Sequence, residues 1–149
     1  MPDTLPPIEP RNPEFEAVIR DSFARQRMMQ TLGATLQAVR PGEVEIALPF
    51  AEKLTQQHGY LHAAATTAIA DSACGYAALT LMPLGREVLS IEFKTNLLAP
   101  AAGDRFVATG RVVRSGRTLT VCTAEVHAEQ GGAQTLVAVM QATMIAVNA

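Results

Sequence analysis

Between Leu54 and Gly85 the chain carries no Lys, Arg or Glu and one Asp, Asp71, set among Ala, Thr, Ile and Gly. Burying an unpaired carboxylate is costly, or else the group becomes neutral. Asp71 therefore either lies at a solvent edge, bonded to Thr67, Ser72 or a backbone group, or is placed for chemistry. His58 and His62, four residues apart, stand where the surrounding segment must begin. Two imidazoles at that spacing could hold a metal. However, His58 precedes Gly59 in an entry loop, His127 belongs to a distant strand, and no third ligand has a convincing spacing, so no metal is expected. His62 is suited instead to satisfying orphan N–H groups at a helix start. Such a start can polarise a carbonyl, and Ala63 and Ala64 are small enough to let a substrate approach it. A helix N-terminus followed about two turns later by a carboxylate joins an oxyanion donor to a base.

Other catalytic signatures are missing. There is no GxSxG elbow, no GxxxxGK[ST] loop and no GxGxxG following a strand. Ser72 and Ser90 lack the His and acid partners of a serine-hydrolase triad. Cys74 and Cys122 stand far apart in apolar surroundings and read as buried free thiols in a reducing compartment.

The elements that must position these residues follow from periodicity. Leu61 to Leu81 has no breaker except Gly75 and is apolar nearly all round, which predicts a helix buried on most sides and stopped by Met82-Pro83. Upstream, Asn12-Pro13 opens an amphipathic helix predicted over 13–32, with Phe15, Val18, Ile19 and Phe23 at helical spacing and Gly33 at its end. "TLQAVR", Pro41-Gly42 and "EVEIALPF" predict a hairpin. Four strands follow the long helix. In the first, "VLSIEFKTN", Leu89, Ile91 and Phe93 alternate with Ser90, Glu92 and Lys94. The later turns fall at Ser115-Gly116 and Gly131-Gly132, and short connections predict an antiparallel meander. An apolar helix beside one long sheet must be covered by it, so the fold class is α+β with the sheet wrapped around the helix.

The 149 residues make a single domain over 1–149, with the Pro-rich residues 1–12 as a flexible tail. Hydrophobic residues at 48% and charged residues at 17% imply that some apolar surface is an interface, so a homo-oligomer is expected. A net charge of −2 with scattered Lys and Arg gives no sign of nucleic-acid binding. No apolar run approaches the ~18 residues of a membrane span, and the first dozen residues read as neither signal peptide nor anchor. The expectation is a cytoplasmic protein with no membrane partner.

The chain resembles the hotdog-fold acyl-CoA thioesterases of the PaaI-like (phenylacetate-pathway) type. The pattern Asn-x-x-Gly-x-x-His-Gly-Gly, with an acid nine residues after the His, is matched by Gln56, Gly59, His62, Ala63, Ala64 and Asp71. "IADSACGYAA", "VLSIEFKTNLLAPAAGD" and "GRVVRSGRTLTVCTAEV" resemble the family's helix and following strands, so the likeness runs from about Gly33 to the C-terminus. The resemblance implies a hotdog fold with a dimer-interface site, in a dimer or tetramer of hotdog units. It implies hydrolysis of an acyl-CoA to free acid and coenzyme A without a cofactor. Asp71 would be general base or nucleophile and the Ala63 N–H would polarise the carbonyl. Gln56 would position water or the carbonyl, and Ser90 of the facing subunit would sit near the attacking water. Arg114 and Arg117 would hold coenzyme A phosphates, or else are ordinary turn charges. Two departures stand out: His-Ala-Ala replaces His-Gly-Gly, adding methyl groups where the thioester approaches, and Gln replaces Asn. Aligning His58-Gly59 instead leaves Asp71 thirteen residues on and loses the register. A non-catalytic acyl-CoA-binding domain is the alternative. Phe23, Met28, Met29 and Met82 suggest an apolar acyl pocket, or core and dimer packing.

Overall fold

The computed structural model describes residues 8–149, so most of the expected 1–12 tail lies outside it. In chain order the elements are α1 (Phe15–Arg25), α2 (Arg27–Leu32), β1 (Thr35–Arg40), β2 (Glu43–Pro49), a 3-10 turn (Glu52–Leu54), α3 (Ala63–Leu79), β3 (Arg86–Leu97), β4 (Arg105–Ser115), β5 (Leu119–Gln130) and β6 (Ala133–Asn148).

The N-terminal segment is two helices rather than the single one predicted over 13–32. Gln26 adopts φ −79° and ψ 100°, breaking the helix between α1 and α2, and its side chain turns onto α3 instead. Gly33 then ends α2 at φ 79°, a left-handed conformation that a side chain disfavours. The β1–β2 hairpin forms as expected, with Val44, Ile46 and Leu48 fully buried. Thr80, just past α3, fixes this hairpin to the helix: its hydroxyl donates to the Ala77 carbonyl and accepts the Gly42 N–H, both at 2.7 Å.

Helix α3 is the centre of the molecule, with 11 of its 17 residues buried. A single antiparallel sheet curves around it in the order β1-β2-β4-β5-β6-β3. Its inner face is Phe106, Ala108, Cys122, Ala124, Val126, Met140 and Ala142, all buried. Small residues set the helix-to-sheet distance, most sharply at Gly110, where a Cβ would stand 2.4 Å from the Ala73 carbonyl carbon. This is the wrapped hotdog arrangement.

The predicted four-strand meander is corrected at its first strand. Only β4, β5 and β6 follow one another; β3 lies at the far margin beside β6. The physical reason is coverage: the sheet must extend past both sides of α3. The β1–β2 hairpin already occupies the β4 side, so β3 closes the other. Its connection to β4 passes the start of α3, where the Leu61 N–H bonds the Ala101 carbonyl at 3.0 Å.

The predicted alternation in β3 also fails. The register shifts between Ser90 and Glu92, so Ser90 pairs with Met144 and Phe93 with Ala142, both buried residues of the inner face. A bulge at Ile91 thus flips the strand's parity. Leu89, Ile91, Phe93, Leu97 and Leu98 do not form a buried row; each is 45 to 60% exposed. Among the described residues no helix is long and apolar enough to cross a membrane.

Candidate active site

Asp71 is the ninth of the 17 residues of α3, on the strip of the helix that the sheet leaves half-buried. The Ser90 hydroxyl donates to its Oδ1 at 2.6 Å and also lies 3.2 Å from Met144 Sδ. The β3 bulge creates this contact, since strict alternation would align Ser90 with Glu92 and Lys94. Ser90 therefore meets Asp71 within one chain, where the resemblance implied a Ser90 supplied by the facing subunit. A hydroxyl donating to a carboxylate oxygen fixes the orientation of the carboxylate.

Asp71 and Ser90 line a cleft of about 410 Å³ between α3, the end of α1 and β3. Its far wall is a polar network that sequence reasoning missed. Gln26 Nε2 donates to the Tyr76 hydroxyl at 2.9 Å, while Gln26 Oε1 accepts from Ser72 at 3.0 Å. The Tyr76 and Ser22 hydroxyls lie 3.2 Å apart. Gln26 and its partners are separated by 46 and 50 residues, so no local pattern could have revealed the network. The apolar acyl pocket suggested by Phe23, Met28, Met29 and Met82 is not at this cleft. Met29 and Met82 are buried in the core and Phe23 packs on Tyr76, with ring centroids 6.0 Å apart.

The helix start forms a second, separate cleft of about 630 Å³, lined by Gln56, Tyr60, His62, Ala63, Leu97 and Leu98 among others. His62 is the N-cap: its Nδ1 accepts the Ala64 N–H at 2.8 Å, which puts its proton on Nε2. The Ala65 N–H bonds the His62 carbonyl at 2.9 Å. The Ala63 N–H makes no hydrogen bond among the described residues and is the free donor of the first turn. Gln56 Oε1 accepts the His58 N–H, holding the turn before the helix, and its Nε2 has no bond among the described residues. Gly59 shapes that turn at φ 85°, donating to the Gln56 carbonyl at 3.0 Å, and does not line the cleft. Ala64 faces a different groove, beside Met28, Leu32 and Lys53.

The sequence-predicted residues are thus divided between two clefts. Eight residues separate Ala63 from Asp71, about 12 Å along the helix axis. A single carbonyl cannot touch both in one chain. Arg114 and Arg117 flank the β4–β5 turn, without an ion pair among the described residues, and line neither cleft. Arg114 shares a cross-strand row with Val121, Thr143 and Glu92, which puts it three strands, roughly 14 Å, from β3. Burial pushes the Cys122 thiol up to about 12 and raises Cys74 further, helped by the neighbouring Cys122 and Asp71. Both cysteines are inert core residues.

Comparison with known proteins bears on the family and the fold. Residues 58–134, just over half the chain and including Asp71 and Ser90, match the family model described as the thioesterase superfamily. A solved thioesterase family protein from Silicibacter pomeroyi is 48% identical, with a TM-score of 0.89 over 91% of this chain and 99% of that one. A Halobacterium salinarum protein provisionally named an esterase is 29% identical over 110 residues, 70% of this chain and 72% of that one. The PaaI protein of the Escherichia coli phenylacetic acid degradation operon shares the fold at 19% identity, with a TM-score of 0.82 over 93% of this chain and 96% of that one. The chain belongs to the thioesterase superfamily.

Proposed function

We propose that the protein hydrolyses an acyl-CoA thioester to free acid and coenzyme A at a site assembled between two copies of the chain. The observation that carries this reading is the Asp71 carboxylate, held by Ser90 at 2.6 Å in a cleft that opens at an unpaired sheet edge. That edge, β3, exposes a run of large apolar side chains, which a second copy would cover. Ser90 is the fifth of the twelve residues of β3, and Leu97, which lines the helix-start cleft, is the last. Antiparallel pairing of two β3 strands about a two-fold axis between Phe93 and Lys94 would set Ser90 opposite the partner's Leu97. Each Asp71 then faces the partner's helix start, which resolves the 12 Å separation within one chain.

In such a site the free Ala63 N–H, aided by the α3 dipole, would polarise the thioester carbonyl. Asp71 would take a proton from water as the water oxygen adds to the carbonyl carbon, with Ser90 orienting the carboxylate. The Gln56 amide N–H2 would hold the carbonyl or the water. Collapse of the tetrahedral intermediate breaks the carbon–sulfur bond, and the departing thiolate recovers the proton. If Asp71 instead attacks the carbon itself, the carbon–sulfur bond breaks and coenzyme A leaves as the thiolate to be protonated. Water then adds to the Asp71 carboxyl carbon of the resulting mixed anhydride, releasing the acid and leaving the water oxygen on Asp71. Single-turnover reaction in 18O-water, with mass analysis of the peptide containing Asp71, separates the two routes. Arg114 and Arg117, which flank the β4–β5 turn and make no ion pair among the described residues, are proposed to take coenzyme A phosphates.

Release of free thiol from a panel of acyl-CoAs tests the reading. Asp71→Asn, which preserves shape, is expected to lower kcat by about 10²–10⁴-fold, the usual contribution of a positioned base. Full turnover by the variant refutes the role of Asp71. Tight binding of acyl-CoA without turnover by the wild type would favour a non-catalytic acyl-CoA-binding domain.

A further inference from the structure

Ligand pockets are usually mostly apolar with a few convergent polar groups. The cleft beside Asp71 departs from this. Its wall opposite β3 consists of Gln26, Tyr76, Ser72 and Ser22, linked by the hydrogen bonds above. We propose that this cleft is the acyl subsite, and that the Gln26–Tyr76 wall selects acyl groups carrying a neutral hydrogen-bonding substituent at their far end. The inference rests on the acyl-CoA hydrolase reading and names its substrate class.

The network retains unused capacity. Gln26 Nε2 has two hydrogens and one is committed, to Tyr76; Tyr76 and Ser22 share one further contact. A plain alkyl end seated here would strip water from these groups and replace it with nothing, whereas a hydroxyl or carbonyl restores the bond. The tail is neutral because Asp71 and Glu87 both line the cleft, while Arg25, its one cation among the described residues, is already paired with Asp21 at 3.0 Å. Dimensions restrict the length. Tyr76 lies five residues beyond Asp71, about 7.5 Å along the axis, the span of a short acyl chain rather than a long one. Gly75, one turn after Asp71, lines the space between them. A Cβ there would meet only Val88 Cγ1, at 3.9 Å, so packing does not demand glycine; its missing side chain leaves room in the cleft.

The test compares ω-hydroxyhexanoyl-CoA with hexanoyl-CoA and with adipoyl-CoA, whose tail is a carboxylate. Turnover is measured on the wild type, Gln26→Leu and Tyr76→Phe. Binding of the same compounds is measured by calorimetry on Asp71→Asn and on the double variants with Gln26→Leu and Tyr76→Phe. The expected result is a kcat/KM for the hydroxy compound about tenfold above hexanoyl, the equivalent of one net hydrogen bond, with adipoyl poorest. The ratio should fall towards one in both wall variants, in turnover and in binding. The proposal is overturned if the wild type does not prefer the hydroxy compound, or if the preference survives in a Tyr76→Phe protein of wild-type melting temperature. Turnover without discrimination sinks this inference and leaves the hydrolase reading standing. Discriminating binding without turnover does the reverse.

Discussion

Replacing Gly110 by alanine puts a methyl group 2.4 Å from the Ala73 carbonyl carbon, 2.5 Å from its oxygen and 2.6 Å from the Cys74 nitrogen. Non-bonded carbons settle at about 3.5–4.0 Å, so roughly 1 Å of separation must be created between β4 and α3. Neither element can yield cheaply. β4 is hydrogen-bonded to β2 and β5 on its two sides, and α3 is enclosed by the sheet. The obstacle is backbone, not the end of a flexible side chain. Overpacking of this kind costs about 1–3 kcal/mol, and the upper half of that range is expected here. At about 2–4 °C per kcal/mol for a domain of this size, the melting temperature should fall by roughly 5–10 °C. Thermal melts followed by circular dichroism, with urea titrations to check that the slope is unchanged, read the effect. Ala73 is two residues from Asp71, so the displacement should also loosen the 2.6 Å Ser90–Asp71 contact and lower kcat. A Gly110→Ala protein with the wild-type urea midpoint would refute the close-approach argument.

Gly75→Ala should act in the opposite direction on stability. Helix-interior glycine costs about 0.5–1 kcal/mol relative to alanine, and the new methyl makes ordinary contact at 3.9 Å. The variant should melt higher while accepting the best acyl-CoA less well; a lower melting temperature would contradict the open space at that position. Charges on the exposed edge, Phe93→Lys with Leu97→Lys, should weaken self-association and abolish turnover together, as read by light scattering and thiol release; an unchanged mass at micromolar concentration would rule out β3 as the interface. Neither cysteine should react with a thiol reagent at pH 8 in the folded protein, because burial holds Cys122 near 12 and Cys74 above its ordinary value. Rapid labelling of native protein would contradict that burial.

The sequence by itself determined the elements whose signals are local. The all-apolar run around Asp71 could only be a covered helix, Pro41-Gly42 and Gly131-Gly132 could only be turns, and His62 was legible as the cap of α3. The isolation of Asp71 also singled it out before any fold was known. The tertiary structure decided what depends on register and on distant contacts. Local pattern treated β3 as an ordinary alternating first strand of a meander. Its place at the far margin depends on covering α3 from both sides, and its bulge at Ile91 shifts the pairing with β6. One inserted residue reverses every side chain beyond it, and this brings Ser90 into line with Asp71. The division of the site into two clefts follows from the rise of a helix, which no spacing rule along the chain discloses. The polar wall of Gln26, Ser72 and Tyr76 was hidden for a similar reason: it joins residues up to 50 positions apart. Periodicity fixes which face a residue occupies, while closure of the sheet around the helix fixes what that face meets.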